Sequence, residues 1–170
     1  MMSEKLLKGF NEQIKHEFDA ANIYLAMAAY CKAEDLDGFA NFFIVQGEEE
    51  RFHAMKFFNF INEIGERAII SGFGDPNNSF DSVEAVFEAA LEHEKKVTGQ
   101  INELMHTALE DRNYAAVNFL NWFVNEQVEE EATFSNLIAK LKRIANNPSG
   151  IYMLDNELAQ RVFTPPATEE

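Results

Sequence analysis

The sequence predicts an all-α protein, built as a four-helix bundle with one long crossover and a short fifth helix. In four long segments, apolar residues recur at every third or fourth position, as in helices with one buried face. Gly is sparse, and every Pro falls outside these segments, so no proline interrupts the helices. The connection 66–80 can span up to roughly 50 Å, enough to run back along a whole bundle. The four segments are 4–35, 38–65, 81–111 and 113–146.

The first two segments should form antiparallel neighbouring helices, because only a short break around Asp35–Gly38 separates them. Polar residues interrupt the inward-facing stripe of each segment near its middle: Glu17 in the first, and Glu50 with His53 in the second. The first stripe comprises Leu7, Phe10, Ile14, Glu17, Ala21, Tyr24 and Ala28. The second comprises Phe39, Phe43, Gln46, Glu50, His53, Phe57, Phe60 and Ile64.

The third and fourth segments pair in the same way across the short break at 111–113, and Asp81 or Ser82 can cap the third helix. Glu94 interrupts the third stripe, and Gln127 with Glu130 interrupts the fourth. The third stripe comprises Val83, Phe87, Ala90, Glu94, Val97, Ile101, Leu104 and Ala108. The fourth comprises Leu120, Phe123, Gln127, Glu130, Phe134, Leu137, Leu141 and Ile144.

The C-terminal part completes a single domain that spans residues 1–170, with the bundle at about 4–146. A short fifth helix is expected at about 148–161, followed by a flexible tail, 162–170. Because the four-helix core is already complete, the apolar residues of the fifth helix fit an interface. They are Ile151, Met153, Leu154 and Leu158.

Composition excludes several classes of function. A formal net charge of -15 argues against nucleic-acid binding, which needs clustered Lys and Arg. No apolar run reaches the 18 or so residues of a membrane span, and the N-terminus lacks the features of a signal peptide. The single cysteine, Cys31, excludes an internal disulfide framework and reads as a small buried residue. Together these features favour a cytoplasmic protein.

The four interruptions should meet, because the middles of packed helices of similar length lie at one depth. Any one of these residues alone is more often a hydrogen-bonded core residue, but four coincident interruptions indicate a site. Ionised carboxylates cannot persist unpaired in a dry core, and cations remove the difficulty. Oxygen ligands with one imidazole suit iron or manganese better than structural zinc. We therefore predict two metal ions, with Glu50 placed to bridge them and His53 one helical turn away.

The sequence resembles the ferritins, specifically the bacterial non-haem ferritins, over nearly its whole length, which makes the expected fold ferritin-like. The resemblance rests on five stretches: "NEQIKHEFDAANIYLAM" (11–27), "EEERFHAMKFFNFI" (48–61), "FEAALEHEKKVTGQINEL" (87–104), "FLNWFVNEQVEEEA" (119–132) and "IYMLDNEL" (151–158).

The resemblance implies a di-iron ferroxidase centre that oxidises Fe(II) to Fe(III) with O2 or H2O2. The ligands implied for the first iron are Glu17, Glu50 and His53. Those implied for the second are Glu50, Glu94 and Glu130, with Gln127 beside it. Tyr24 matches the tyrosine next to the di-iron centre, although from the residues alone a core aromatic is an equal reading.

The resemblance also implies a third iron site, next to the di-iron pair and open toward the interior. Its residues are Glu49, Glu126 and Glu129, with Glu130 shared. An acidic solvated face is the alternative reading of these glutamates.

Two departures from related families narrow the assignment. Only the second helix carries Glu-x-x-His, since the fourth reads Gln127-Val128-Glu129-Glu130, which argues against bacterioferritin, rubrerythrin and the di-iron oxygenases. Arg51 stands where bacterioferritin has its haem-ligating Met, so no haem is expected.

His16 and His93 each adjoin a ligand Glu but turn away from the stripe, and both are expected at the surface.

The implied function is iron storage: the ferric product is deposited as a mineral inside a multimeric cage. The resemblance implies a homo-oligomer of 24 chains with octahedral symmetry. The composition predicts no nucleic-acid or membrane partner. Two rival functions remain: another di-iron enzyme, such as a peroxidase or oxygenase, and a non-catalytic shell protein that binds metal only for stability.

Overall fold

The computed structural model describes residues 2–145 and 147–165, and this part of the chain contains five helices and no strand. The helices are α1 (Glu4–Ala33), α2 (Asp37–Glu63), α3 (Val83–Glu110), α4 (Tyr114–Ile144) and α5 (Pro148–Leu158). The predicted all-α bundle with a fifth helix is confirmed, and the predicted helix boundaries differ by a few residues. None of the helices in the described residues is long and apolar enough to cross a membrane.

Side-chain caps fix the starts of three bundle helices. Ser3 accepts a hydrogen bond from the amide of Leu6 at the start of α1, and Asn113 caps α4 in the same way. Ser82, one of the two residues predicted to cap the third helix, accepts from the amide of Ala85. Each cap pairs an amide that the helix itself leaves free.

The long crossover runs along the bundle from one end to the other. Near its start, the amide of Ile69 donates to Asn11 Oδ1 in the first half of α1, at 2.6 Å. Near its end, the Phe80 ring meets Tyr30 at the other end of α1, with centroids 5.4 Å apart. The loop therefore returns the chain to the end where α2 began, as its length predicts.

The α5 helix docks on the start of α2, which has no capping side chain of its own. Asp155 Oδ1 accepts hydrogen bonds from the amides of Gly38 (2.8 Å) and Phe39 (3.0 Å), so a carboxylate of α5 caps α2. A Cβ on Gly38 would lie 1.7 Å from the Asp155 carbonyl oxygen. Only glycine allows the two backbones to approach this closely.

Two expectations about the C-terminal part need correction. The fifth helix ends at Leu158 rather than near 161, because Asn41 Nδ2 binds the carbonyl oxygens of Leu158 and Arg161 and draws the chain onto α2. Leu154 and Leu158 are buried in the bundle of their own chain and are not free for an interface. Within the predicted tail, the Phe163 ring packs 5.9 Å from that of Phe52, and the flexibility of residues 162–170 stays a prediction. Residues 166–170 lie outside the described residues.

The bundle core consists of two apolar clusters. The first, which we call the α5-side cluster, is built around Phe39, Phe43, Phe87 and Phe134. The second, the N-terminal cluster, is built around Leu6, Phe10, Phe57 and Phe123. Along each of the four bundle helices, buried polar residues lie between the residues of one cluster and those of the other. These polar residues position the candidate site.

Candidate metal centre

The polar layer between the two clusters contains each of the six interrupting residues that the sequence predicted to meet. All are at most 5% exposed. Two further buried amides, Gln13 and Gln46, belong to the same layer. The layer comprises Gln13, Glu17, Gln46, Glu50, His53, Glu94, Gln127 and Glu130.

Glu17, Glu50 and His53 form the tightest group of the layer. One ligand atom from each lies within 4.8 Å of the other two. His53 Nδ1 is 3.3 Å from Glu50 Oε2 and 3.9 Å from Glu17 Oε2, so all three point to one place. The rings of Trp122 and Phe123, at 5.4 and 5.8 Å, hold the imidazole in this orientation.

Glu94 forms the opposite part of the layer. Tyr24 donates a hydrogen bond from its hydroxyl group to Glu94 Oε1. Gln127 Nε2 donates to Glu94 Oε2 at 3.0 Å and to the Glu94 carbonyl oxygen at 3.2 Å. Thr98 Oγ1 lies 3.3 Å from the same amide and donates in turn to Glu131 at 2.6 Å. Tyr24 and Gln127 thus orient this carboxylate, as neighbours of a metal ligand would.

Glu130 is tied to Glu50 by a single amide. Gln46 Nε2 donates to Glu130 Oε1 at 2.9 Å and to Glu50 Oε1 at 3.2 Å. Gln13 Nε2 makes the equivalent contact to Glu17 Oε1 at 2.8 Å. These two amides hold three of the carboxylates in place by donating hydrogen bonds, which an ionised carboxylate could not do.

Burial and like charge make the carboxylates hold protons. Burial, followed by the charge of Glu50, raises the pKa of Glu17 to about 8. Burial raises the pKa of Glu94, and burial with the charges of Glu94 and Glu50 raises that of Glu130 well above its usual range. Burial alone would lower the pKa of His53, but Glu50, Glu126 and Glu17 raise it well above its usual range. The metal-free layer therefore holds protons at the carboxylates, and cations that bind there would take the place of these protons.

Glu17 provides a direct sign that the layer fits a cation. Its Oε2 atom is buried and has no hydrogen-bond partner, although it faces the histidine and Glu50. A buried carboxylate oxygen without a partner is costly, and a metal ion at this point would pair it. Hard oxygen donors with one imidazole match the preference of iron or manganese.

The residues predicted for a third metal ion are only partly brought together. Glu126 Oε1 lies 3.8 Å from His53 Nε2, on the side away from Glu17. Glu49 is half-buried, and its Oε2 pairs with Arg161 Nη2 at 2.5 Å. Glu129 is exposed, and within the described residues nothing joins it to the layer. The geometry thus places Glu49 and Glu126 beside the layer but leaves Glu129 apart.

Both histidines predicted at the surface beside the site are instead half-buried. The His93 ring lies 5.8 Å from that of Tyr24. Burial, with the charges of Lys96 and His16, lowers the pKa of His93 to about 4. His16 is half-buried, and burial lowers its pKa too. The sequence does not reveal the partial burial of these two histidines, because a residue beside the apolar stripe can still be covered by a neighbouring helix.

Three functional neighbours were missed from the sequence. Gln13 lies one turn before Glu17, at the i,i+4 spacing that could have identified it. Gln46 belongs to the predicted apolar stripe, and this position gives no sign of its hydrogen bonds to Glu50 and Glu130. Arg161 gives no signal at all, because it contacts a helix more than a hundred residues earlier.

Comparisons with known proteins agree on one family. A family model described as "Ferritin-like domain" matches residues 7–144. Over 163 residues, the chain is 44% identical to a bacterial non-heme ferritin of Staphylococcus aureus and 45% identical to one of Staphylococcus epidermidis. Each alignment covers 96% of this chain and 98% of the relative.

Solved structures give the same result. One is described as an open pore ferritin from the archaeon Archaeoglobus fulgidus; it is 41% identical with a TM-score of 0.93, over 95% of this chain and 100% of that one. Another, an engineered closed form of the Archaeoglobus fulgidus ferritin, is 41% identical with a TM-score of 0.94, over 96% of this chain and 100% of that one.

Proposed function

This chain belongs to the ferritin family, and from that premise we propose that it is an iron-storage ferroxidase of the bacterial non-haem type. One observation carries the proposal: ligand atoms of Glu17, Glu50 and His53 converge within 4.8 Å inside a buried layer of carboxylates. Iron is the substrate of this reaction and the cargo that is stored.

In the proposed reaction, two Fe(II) ions bind in the polar layer. Glu17, Glu50 and His53 hold the first, while Glu94 and Glu130 hold the second, with Glu50 between them. Each Fe(II) gives up one electron. O2 takes up both electrons and two protons and becomes H2O2, or H2O2 takes them up and becomes two water molecules. The hard carboxylates favour Fe(III), so the ligand set itself promotes the oxidation.

The orienting side chains have separate roles in this proposal. Gln13 and Gln46 hold three of the carboxylates by amide hydrogen bonds, which keeps their free oxygens aimed at the ions. Tyr24, bonded to Glu94, is a hydrogen-bonding neighbour that can also take part in electron transfer. Gln127 bonds Glu94 beside the second ion.

Storage requires an assembled shell, because one bundle has no interior space for a mineral. We propose a cage of 24 identical chains with octahedral symmetry. Large apolar side chains remain exposed on the single chain, as expected of surfaces that other chains cover. They include Leu25 (59% exposed), Phe73 (43%) and Met153 (73%).

The proposal is tested by Glu50→Ala, which removes the carboxylate shared by both ions. Mixing Fe(II) with aerated protein at two ions per chain should show the fast oxidation phase slowed by about 100-fold or more, with assembly unchanged. Glu63→Ala is the matched control: it lies on the same helix, is exposed, and loses the same charge. An unchanged fast phase in Glu50→Ala would overturn the ferroxidase assignment, and loss of assembly on this change would favour a structural metal.

A further inference from the structure

The chain beyond α5 forms a short strap, residues 159–165, that lies along α2 beside the polar layer. Asn41 Nδ2 anchors it by donating to the carbonyl oxygens of Leu158 (3.1 Å) and Arg161 (2.9 Å). At the other end, the Phe163 ring packs against Phe52 of α2. The strap therefore holds Arg161 between two fixed points.

Arg161 makes four contacts with one face of α2. Nη2 donates to Glu49 Oε2 at 2.5 Å and to Gln46 Oε1 at 2.9 Å, and Nη1 donates to the Phe42 carbonyl oxygen at 3.3 Å. The guanidinium carbon also lies 4.3 Å from the centre of the Phe42 ring. A planar guanidinium with this many partners is held in one orientation, unlike a surface cation on a mobile stem.

The contact with Gln46 links the strap to the metal ligands. Arg161 has only donors, so it must face the carbonyl oxygen of this amide. The amide nitrogen of Gln46 is then turned inward, where it donates to Glu50 and Glu130. Arg161 thus pairs with Glu49 outside the layer. It also fixes the orientation of the Gln46 amide, which bonds two carboxylates within the layer.

We propose that Arg161 is a built-in cation that takes the place of a third metal ion at Glu49. While the strap is bound, the Glu49 carboxylate is paired and its side chain is turned to the guanidinium. A third ion can use Glu49 and Glu126 only when Arg161 leaves, so the strap controls whether this chain holds two ions or three. The inference rests on the proposed function, since it assumes that the polar layer holds two ions.

The test is binding of Zn2+, a redox-inert probe, to the assembled metal-free protein, measured by titration calorimetry. The unmodified protein should bind two ions tightly and a third weakly. Arg161→Ala should strengthen binding of the third ion by about tenfold if the strap is otherwise open for about a tenth of the time. Arg143→Ala, an exposed arginine near the end of α4 with the same change in charge, should leave all three affinities unchanged.

Two further variants keep the test decisive. Arg161→Lys preserves the charge but loses the fork of donors, so it should give a smaller gain, and it replaces Arg161→Ala if that variant fails to assemble. Adding Glu49→Gln to Arg161→Ala should remove the gain. The inference is overturned if the third affinity stays unchanged in both arginine variants, or if the gain survives Glu49→Gln. Failure of the unmodified protein to bind two ions would instead overturn the proposed function itself.

Discussion

The polar layer and the two apolar clusters lie in the same four helices but have opposite effects on the stability of the metal-free chain. The clusters are dense in aromatic side chains: in the N-terminal cluster, the Phe10 ring lies within 6 Å of three others. The layer holds buried carboxylates whose pKa values are raised, and one carboxylate oxygen without a partner. The difference teaches that the clusters stabilise the bundle, while the layer costs stability until cations occupy it.

The largest effect on stability should come from the clusters. Phe10→Ala removes a fully buried ring and should lower the free energy of unfolding by about 3–5 kcal/mol. Chemical denaturation of metal-free protein measures the change. The rate of Fe(II) oxidation per folded chain should stay within a few-fold of normal, and a loss as severe as that of Glu50→Ala would break the separation between cluster and layer.

A smaller effect of opposite sign is expected within the layer. Glu17→Gln keeps an acceptor for Gln13 but removes a carboxyl group that burial makes costly to ionise. At pH 8.5, the metal-free variant should be more stable than the unmodified protein, on the order of 1–3 kcal/mol. Thermal unfolding with and without Zn2+ checks this, because the metal should stabilise the variant less. A metal-free variant that is less stable would show that the layer does not oppose folding.

The smallest effect, counted for one titrating group over one pH unit, is the pH dependence of the metal-free protein. Glu17, with a pKa of about 8, and His53, with a raised pKa, hold protons in the folded state that the unfolded chain releases. Between pH 7 and 8.5, stability should therefore fall as pH rises, by up to about 1.4 kcal/mol per pH unit for each such proton. His93, with a pKa of about 4, is neutral in both states over most of this range and contributes little.

Denaturation at several pH values measures this slope, with Glu17→Gln as the reference. The slope of stability against pH should be shallower in that variant. In the unmodified protein, the slope should vanish or reverse when metal ions replace the protons. A metal-free protein whose stability rises with pH over this range would contradict the raised pKa values in the layer.

The polar layer was predictable from the sequence because its residues interrupt a periodic pattern of apolar residues. Glu17, Glu50, Glu94 and Glu130 each break an otherwise apolar stripe near mid-helix, and packed helices bring equal depths together. The crossover was equally predictable, since its length left few paths along the bundle.

What escaped prediction depends on contacts far apart in the chain. The strap has no repeat, and Arg161 finds Glu49 only because Asn41 and Phe52 hold the chain on α2. The α5 helix ends at Leu158, earlier than predicted, because the same contacts hold the following residues on α2. Glu129 was assigned to a third site from the resemblance, and the structure leaves it exposed, so its role stays a prediction.

Iron loading of the unmodified protein shows directly whether the polar layer feeds iron into a store. Excess Fe(II) is added in air, the product is separated by size, and iron per chain is measured in the protein peak. We expect far more than two or three ions per chain in a species of about 470 kDa, the mass of 24 chains of 19.4 kDa. Two or three ions per chain in a small species would contradict it and would identify a di-iron enzyme with another substrate.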